Sequence, residues 1–179
     1  MIIKTVFSGF GGQGVLMMGY SFAHGAMSAG YEVTYLPSYG AEVRGGTANC
    51  TVSVADEQIA SPIASEPDFI VAMNTPSLYS FQNRAMRGGT IFLNSSIVQV
   101  RPTRPDLEVY AIPCMEIAEE LGSPRAANVV MMGAFLSKFP LVTPEVYLQS
   151  LAEIMGSRKA DAAAANRKAF EAGYRFIAG

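Results

Sequence analysis

Charge is scarce in this sequence. Only 16% of its 179 residues are Asp, Glu, Lys or Arg, against about 25% in an average soluble domain. Half of the residues are hydrophobic. A chain this poor in charge is expected to cover part of its apolar surface with a partner. A large core filled by adaptable side chains, the ten methionines among them, is the other use for that apolarity. No run of basic residues occurs, and the formal net charge is −2, which speaks against nucleic acid as a partner. Long hydrophobic runs are missing too. The longest, Val129 to Leu136 with Gly133 inside it, falls far short of the roughly 20 residues of a membrane-spanning helix, so no membrane is expected. The opening MIIKTVFSGF holds one lysine and then turns glycine-rich, which is not the layout of a signal peptide. A cytoplasmic protein is the expectation.

Cysteine and histidine are as sparse. The two cysteines, Cys50 and Cys114, cannot ligate an iron–sulfur cluster, which takes four ligands, and they lack the spacing of a zinc site. Two free thiols in a reducing compartment are expected. Cys50 falls on the apolar face of a strand. Cys114 opens a helix, where the dipole favours a thiolate, although a packed thiol is the expected reading. The sole histidine, His24, stands in mid-helix without a nearby carboxylate or thiol in sequence. General acid–base work needs a positioned partner, so His24 reads as a packing or surface residue.

What is present has the rhythm of one α/β domain over residues 1–179. Residues 2–8 read as a buried strand, 9–14 as a glycine turn and 15–29 as a helix, with Gly30 as its C-terminal cap. Strands follow at 31–36, 47–55, 68–73, 90–94 and 108–112. Between the second and third lie too few residues for a helical crossover, so 31–55 reads as a hairpin-like excursion. Alternation over 47–55 sets Ala48, Cys50, Val52 and Val54 on one face. Thr75 as N-cap and Pro76 in the first turn start a helix running to about Arg87. Further helices are expected at 114–121, 125–138, 144–155 and 159–177. The fold class is a Rossmann-like three-layer α/β fold, its central sheet mostly parallel, helices on both faces and the C-terminal part helical.

Gly9, Gly11 and Gly14 fit G-x-G-x-x-G between a strand and a helix. Such a turn brings backbone N–H groups close to a phosphate at a helix N-terminus. The dinucleotide reading also needs an acid at the end of the second strand, about 20 residues on, to hold the ribose. That strand ends Thr34-Tyr35-Leu36-Pro37, and Glu32 lies at its wrong end. A phosphate or coenzyme A contact and a tight turn packed against another subunit both remain open. So does a free-standing nucleotide-binding protein that uses the glycine turn. A second cluster, Ser38, Tyr39, Gly40, Glu42, Arg44, Gly45 and Gly46, is expected beside the first, at the sheet edge where open α/β sheets bind ligands. Arg44 suits a phosphate or carboxylate, and a Glu42–Arg44 surface pair is the plainer alternative. Asn74 ends a buried strand at the same edge.

GFGGQG at 9–14, LPSYGAEVRGGTANCTV at 36–52, SEPDFIVAMNTPSL at 65–78 and NVVMMGAF at 128–135 together resemble the gamma subunit, or gamma domain, of 2-oxoacid:acceptor (ferredoxin) oxidoreductases. The 36–52 segment looks most like the 2-oxoglutarate branch. The resemblance implies a reaction in which a 2-oxoacid adds to thiamine diphosphate and loses CO2. Electrons then pass one at a time through iron–sulfur clusters to ferredoxin, and coenzyme A carries off the acyl group. It implies that thiamine diphosphate, Mg and the clusters sit in partner subunits, with no cofactor bound by this chain alone and no catalytic residue or metal ligand in it. The isolated chain is then inactive, and its exposed apolar surface leaves a homodimer open. Carried onto this sequence, the motifs imply that Gly9, Gly11, Gly12, Gln13, Gly14, Ser38, Tyr39, Glu42, Arg44 and Asn74 contact coenzyme A or a partner subunit.

Overall fold

The first strand, β1, runs Ile2–Phe10 and is buried on both faces over residues 5–9. Val6 and Phe7 are both buried yet belong to different hydrophobic clusters, because successive side chains leave a strand on opposite faces. The computed structural model describes residues 1–39, 47–139, 141–156 and 160–179. Within these, β1 leads into helix α1 (Val15–Ser28), strands β2 (Glu32–Tyr39), β3 (Thr47–Ala55) and β4 (Phe69–Ala72), and helix α2 (Thr75–Phe81). Strands β5 (Thr90–Asn94) and β6 (Glu108–Ile112) follow, and then helices α3 (Cys114–Glu120), α4 (Ala127–Leu136), α5 (Pro144–Met155) and α6 (Ala160–Ala178).

The six strands form one sheet in the order β2-β3-β1-β4-β5-β6. The pairings of β1 with β4, β4 with β5 and β5 with β6 are parallel. Both pairings of β3 are antiparallel. The expected excursion is thus a hairpin whose second arm, β3, is built into the sheet beside β1. Seven residues between β2 and β3 leave no room for a crossover helix, and an antiparallel return follows.

The two faces are covered unequally. On one, Phe7, Phe22, Phe92, Phe135 and Phe139 form a buried aromatic cluster with edge-to-face contacts such as Phe22–Phe139, centroids 4.8 Å apart. Residues from α1, α3, α4, α5 and α6 close this core. On the other face, Val6, Ile70, Ala72, Ile91 and Leu93 pack under Leu78 and Phe81 of the short α2. In α1 the buried positions Val15, Met18, Gly19, Phe22, Ala23 and Ala26 recur at helical spacing. Gly30 ends that helix as expected, with φ +90° and the Tyr31 N–H donating to the Ala26 carbonyl at 3.1 Å.

Two boundaries depart from expectation. Asn74, not Thr75, caps α2; its Oδ1 accepts from the Ser77 N–H at 2.8 Å. And α2 with its trailing 3-10 turn stops at Arg84, not Arg87. The Arg104 guanidinium takes the carbonyls of Gln82 and Ala85 at 3.4 and 2.5 Å, and the Met86 N–H donates to the Pro67 carbonyl at 3.0 Å. Long-range partners replace another helical turn there.

Candidate functional site

The C-terminal ends of β1 and β4 define the edge where the glycine turn sits. The turn closes on the Gln13 N–H, which donates to the Phe10 carbonyl at 3.1 Å. Gly12 at φ +93° and Gly14 at φ +76° take left-handed backbone conformations that cost other residues energy. Gly9 is required by space: a Cβ there would stand 2.6 Å from Gln13 Oε1 and 2.9 Å from Met73 Cβ. Gly11 and Gly12 are exposed. Helix α1 begins directly after the turn, with no capping side chain and no acid in its first turn. The orphan N–H groups of a helix start, with the positive end of the helix dipole, favour an anion.

Gln13 is engaged at both ends of its amide. Oε1 accepts from the Phe10 N–H at 2.7 Å, and Nε2 donates to the Met73 carbonyl at 3.1 Å. The Met73 carbonyl also accepts from Asn94 Nδ2 at 3.5 Å, and the Met73 N–H donates to the Ser8 carbonyl at 2.8 Å. Asn74 lies beside this network, fully buried and occupied in capping α2 through its oxygen. Its Nδ2 and the Oδ1 of Asn94 are buried without a hydrogen-bond partner. Ser8 and Ser77 join β1 to α2 by an Oγ–Oγ hydrogen bond of 2.8 Å.

The sheet brings the second cluster's start to the same edge. Ser38 pairs with Asn49 and Tyr39 with Ala48 on β3, and these pair in turn with Ser8 and Gly9 on β1. Two strand spacings, about 10 Å, therefore separate Ser38 from Ser8. Ser38 is exposed. Glu42 and Arg44 lie outside the described residues.

Asn128, at the start of α4, was not among the residues expected at the site. Its Nδ2 lies 2.5 Å from where a Cβ of Gly14 would be, so a side chain larger than hydrogen at position 14 would collide with it. Asn128 also lines a cleft of about 530 Å³ with Met17, Ser123, Arg125, Val129 and Met155. Its only sequence signal was its place in the NVVMMGAF motif, because nothing local links position 128 to position 14.

The thiols stand apart from this edge's chemistry. Burial pushes the Cys50 thiol up to about 12, and burial raises Cys114 as well, with Glu116 adding to the effect. Both stay protonated at neutral pH and are poor nucleophiles. His24 does gain a carboxylate neighbour through folding: its Nε2 lies 3.9 Å from Glu153 Oε2 of α5. Among the described residues no three His, Cys, Asp or Glu side chains gather as a metal site.

Comparison with known proteins places this architecture. The family described as "Pyruvate ferredoxin/flavodoxin oxidoreductase" matches residues 4–176. A ketoisovalerate oxidoreductase subunit, VorA, from Methanothermobacter marburgensis is 38% identical over 75% of this chain and 28% of its own length. A 2-oxoglutarate synthase subunit, KorC, from Methanocaldococcus jannaschii is 32% identical over 77% of this chain and 75% of its own. The chain thus spans less than a third of the first relative and three quarters of the second. Among solved structures, the gamma subunit of a keto/oxoacid ferredoxin oxidoreductase from Geobacter sulfurreducens superposes with TM-score 0.87 at 23% identity, covering 99% of this chain and 97% of that one. The 2-oxoglutarate:ferredoxin oxidoreductase from Magnetococcus marinus, solved with 2-oxoglutarate, coenzyme A and succinyl-CoA bound, superposes with TM-score 0.86 at 24% identity, covering 99% of this chain and 31% of that one.

Proposed function

The chain belongs to the pyruvate ferredoxin/flavodoxin oxidoreductase family and has the fold of a gamma subunit, and from that premise we propose that it is the gamma subunit of a cytoplasmic 2-oxoacid:ferredoxin oxidoreductase. The complex converts a 2-oxoacid, coenzyme A and oxidised ferredoxin to acyl-CoA, CO2 and reduced ferredoxin. The C–C bond to the carboxylate breaks, a C–S bond forms, the thiol proton is released, and the electron pair leaves one electron at a time to ferredoxin. Partner subunits carry thiamine diphosphate, Mg and the iron–sulfur clusters, and the thiamine cofactor supplies the carbanion chemistry. This chain brings two cysteines to the complex, where a cluster takes four ligands. Its part is assembly and closure of the site near coenzyme A, as a single domain that has no turnover alone.

The observation that carries this reading is the family match along nearly the whole chain, joined to a glycine turn that opens a helix whose first N–H donors have no capping side chain. Those donors suit a phosphate of coenzyme A. Gly9, Gly11, Gly12, Gln13, Gly14 and Asn74 build the β1–β4 side of the proposed site, and Ser38, Tyr39, Glu42 and Arg44 are assigned to it on the family resemblance of the 36–52 segment.

The relatives name different acids, ketoisovalerate and 2-oxoglutarate. We take 2-oxoglutarate as the substrate, on the likeness of the 36–52 segment to that branch. Assay of the assembled complex with viologen dye, coenzyme A and a panel of 2-oxoacids tests it. The largest kcat/KM is expected for 2-oxoglutarate; a larger value for a branched-chain 2-oxoacid contradicts the assignment.

A further inference from the structure

The amide of Gln13 faces inward. One backbone bond, Gln13 N–H to the Phe10 carbonyl, and one side-chain bond, Phe10 N–H to Gln13 Oε1, close residues 10–13 into a ring. The second bond of the side chain, Nε2 to the Met73 carbonyl, fastens that ring to the end of β4. The anchor is itself fixed: Met73 is tied to β1 through the Ser8 carbonyl and receives Asn94 from β5. The place where Oε1 lies is open only because Gly9 carries no Cβ. Gly11 and Gly12, by contrast, are exposed and have no side chain with which to hold a shape. Glycine backbones lose the most freedom on ordering.

We infer that Gln13 is a positioning residue: it holds the glycine turn in its binding shape before any ligand arrives, and does not itself touch the ligand. The inference rests on the reading that this turn contacts coenzyme A. A turn fixed in advance does not have to be ordered on binding, so its donors act at full effect. Glutamine suits the role because one end accepts and the other donates. Glutamate keeps the acceptor for the Phe10 N–H but sets an oxygen against the Met73 carbonyl. Alanine loses both bonds.

The test uses the assembled complex with wild-type, Gln13→Ala and Gln13→Glu subunits. The first readout is amide hydrogen exchange without ligand. Phe10 is expected to exchange at least about tenfold faster in Gln13→Ala, while Val6 and Phe7 in the same strand are unchanged. In Gln13→Glu, which keeps the Phe10 acceptor, the increase is smaller. The second readout is kinetic. KM for coenzyme A rises about tenfold in Gln13→Ala, while kcat at saturating coenzyme A and KM for the 2-oxoacid stay within twofold. Unchanged Phe10 exchange in Gln13→Ala overturns the positioning role. Faster exchange with an unchanged KM for coenzyme A overturns its bearing on the ligand, and a raised KM with unchanged exchange marks Gln13 as a direct contact instead. A wild-type complex without coenzyme A-dependent turnover refutes the functional reading and the ligand named here, whereas the exchange of Phe10 still decides whether Gln13 holds the turn.

Discussion

Arg104 shows how one side chain reaches a segment distant in sequence. Its guanidinium fastens the chain after α2 and is itself gripped by Asp106, with Nε–Oδ1 at 3.0 Å and Nη2–Oδ2 at 2.5 Å. The Asp106 carboxylate also accepts from the Gly88 N–H at 3.2 Å. The hydrogen bonds from Arg104 first, and that from Gly88 second, hold the Asp106 carboxyl down at about 2. A carboxyl lowered in the folded state stabilises the fold above its unfolded pKa, about 3.9, and loses that contribution as pH falls toward the folded value. Asp106→Asn is therefore expected to lower the thermal midpoint at pH 7, with the gap to wild type closing as pH falls through about 4 to 2. Melting curves at several pH values check this; a gap independent of pH contradicts it. None of this was readable beforehand, since the carbonyls that Arg104 holds lie 22 and 19 residues away from it in sequence. Gly30 was readable, because its positive φ is a local demand that the sequence meets locally.

At the scale of elements, α4 and α6 approach each other closely. A Cβ on Gly133 would overlap the Phe170 carbonyl oxygen, and one on Gly173 would overlap the Val130 carbonyl oxygen. The two helices meet backbone to backbone at reciprocal glycines. Neither side has a flexible side chain to give way, so overpacking here exceeds the usual range of about 1–3 kcal/mol. Gly133→Ala and Gly173→Ala are each expected to cost more than about 3 kcal/mol, read as a fall in denaturant midpoint at unchanged slope. A loss below about 1 kcal/mol would mean the helices separate easily. The helices themselves were legible from apolar spacing, as were the strands and the glycine turn. The reciprocal contact was not, because it joins positions 40 residues apart and each glycine alone looks like a weak point in a helix. The same holds for the candidate site. The turn 9–14 announces itself in sequence, while Asn128 arrives over Gly14 only when α4 docks on α1. Gln13 reads in sequence as a contact to coenzyme A or a partner subunit; in the fold both ends of its amide are bound within the chain.

At the scale of the whole molecule, low charge coincides with large apolar side chains left at the surface. Met17, Tyr20 and Met27 lie exposed along α1, and Leu36, Ile63 and Tyr79 are exposed elsewhere. No helix among the described residues is long and apolar enough to cross a membrane. Sequence composition points to a partner for such a surface, and the proposed function names its kind: other subunits of an oxidoreductase. Which subunit covers which patch is not written in one chain, because complementarity belongs to two surfaces together. The most direct test is to assemble the neighbouring thiamine- and cluster-binding subunits with and without this chain, tagging this chain when it is present. The account predicts a brown complex on the tag that reduces viologen with a 2-oxoacid and coenzyme A, with activity lost when the chain is omitted and restored when it is added back. A chain that purifies alone and colourless, beside partner subunits that turn over fully without it, would contradict the account.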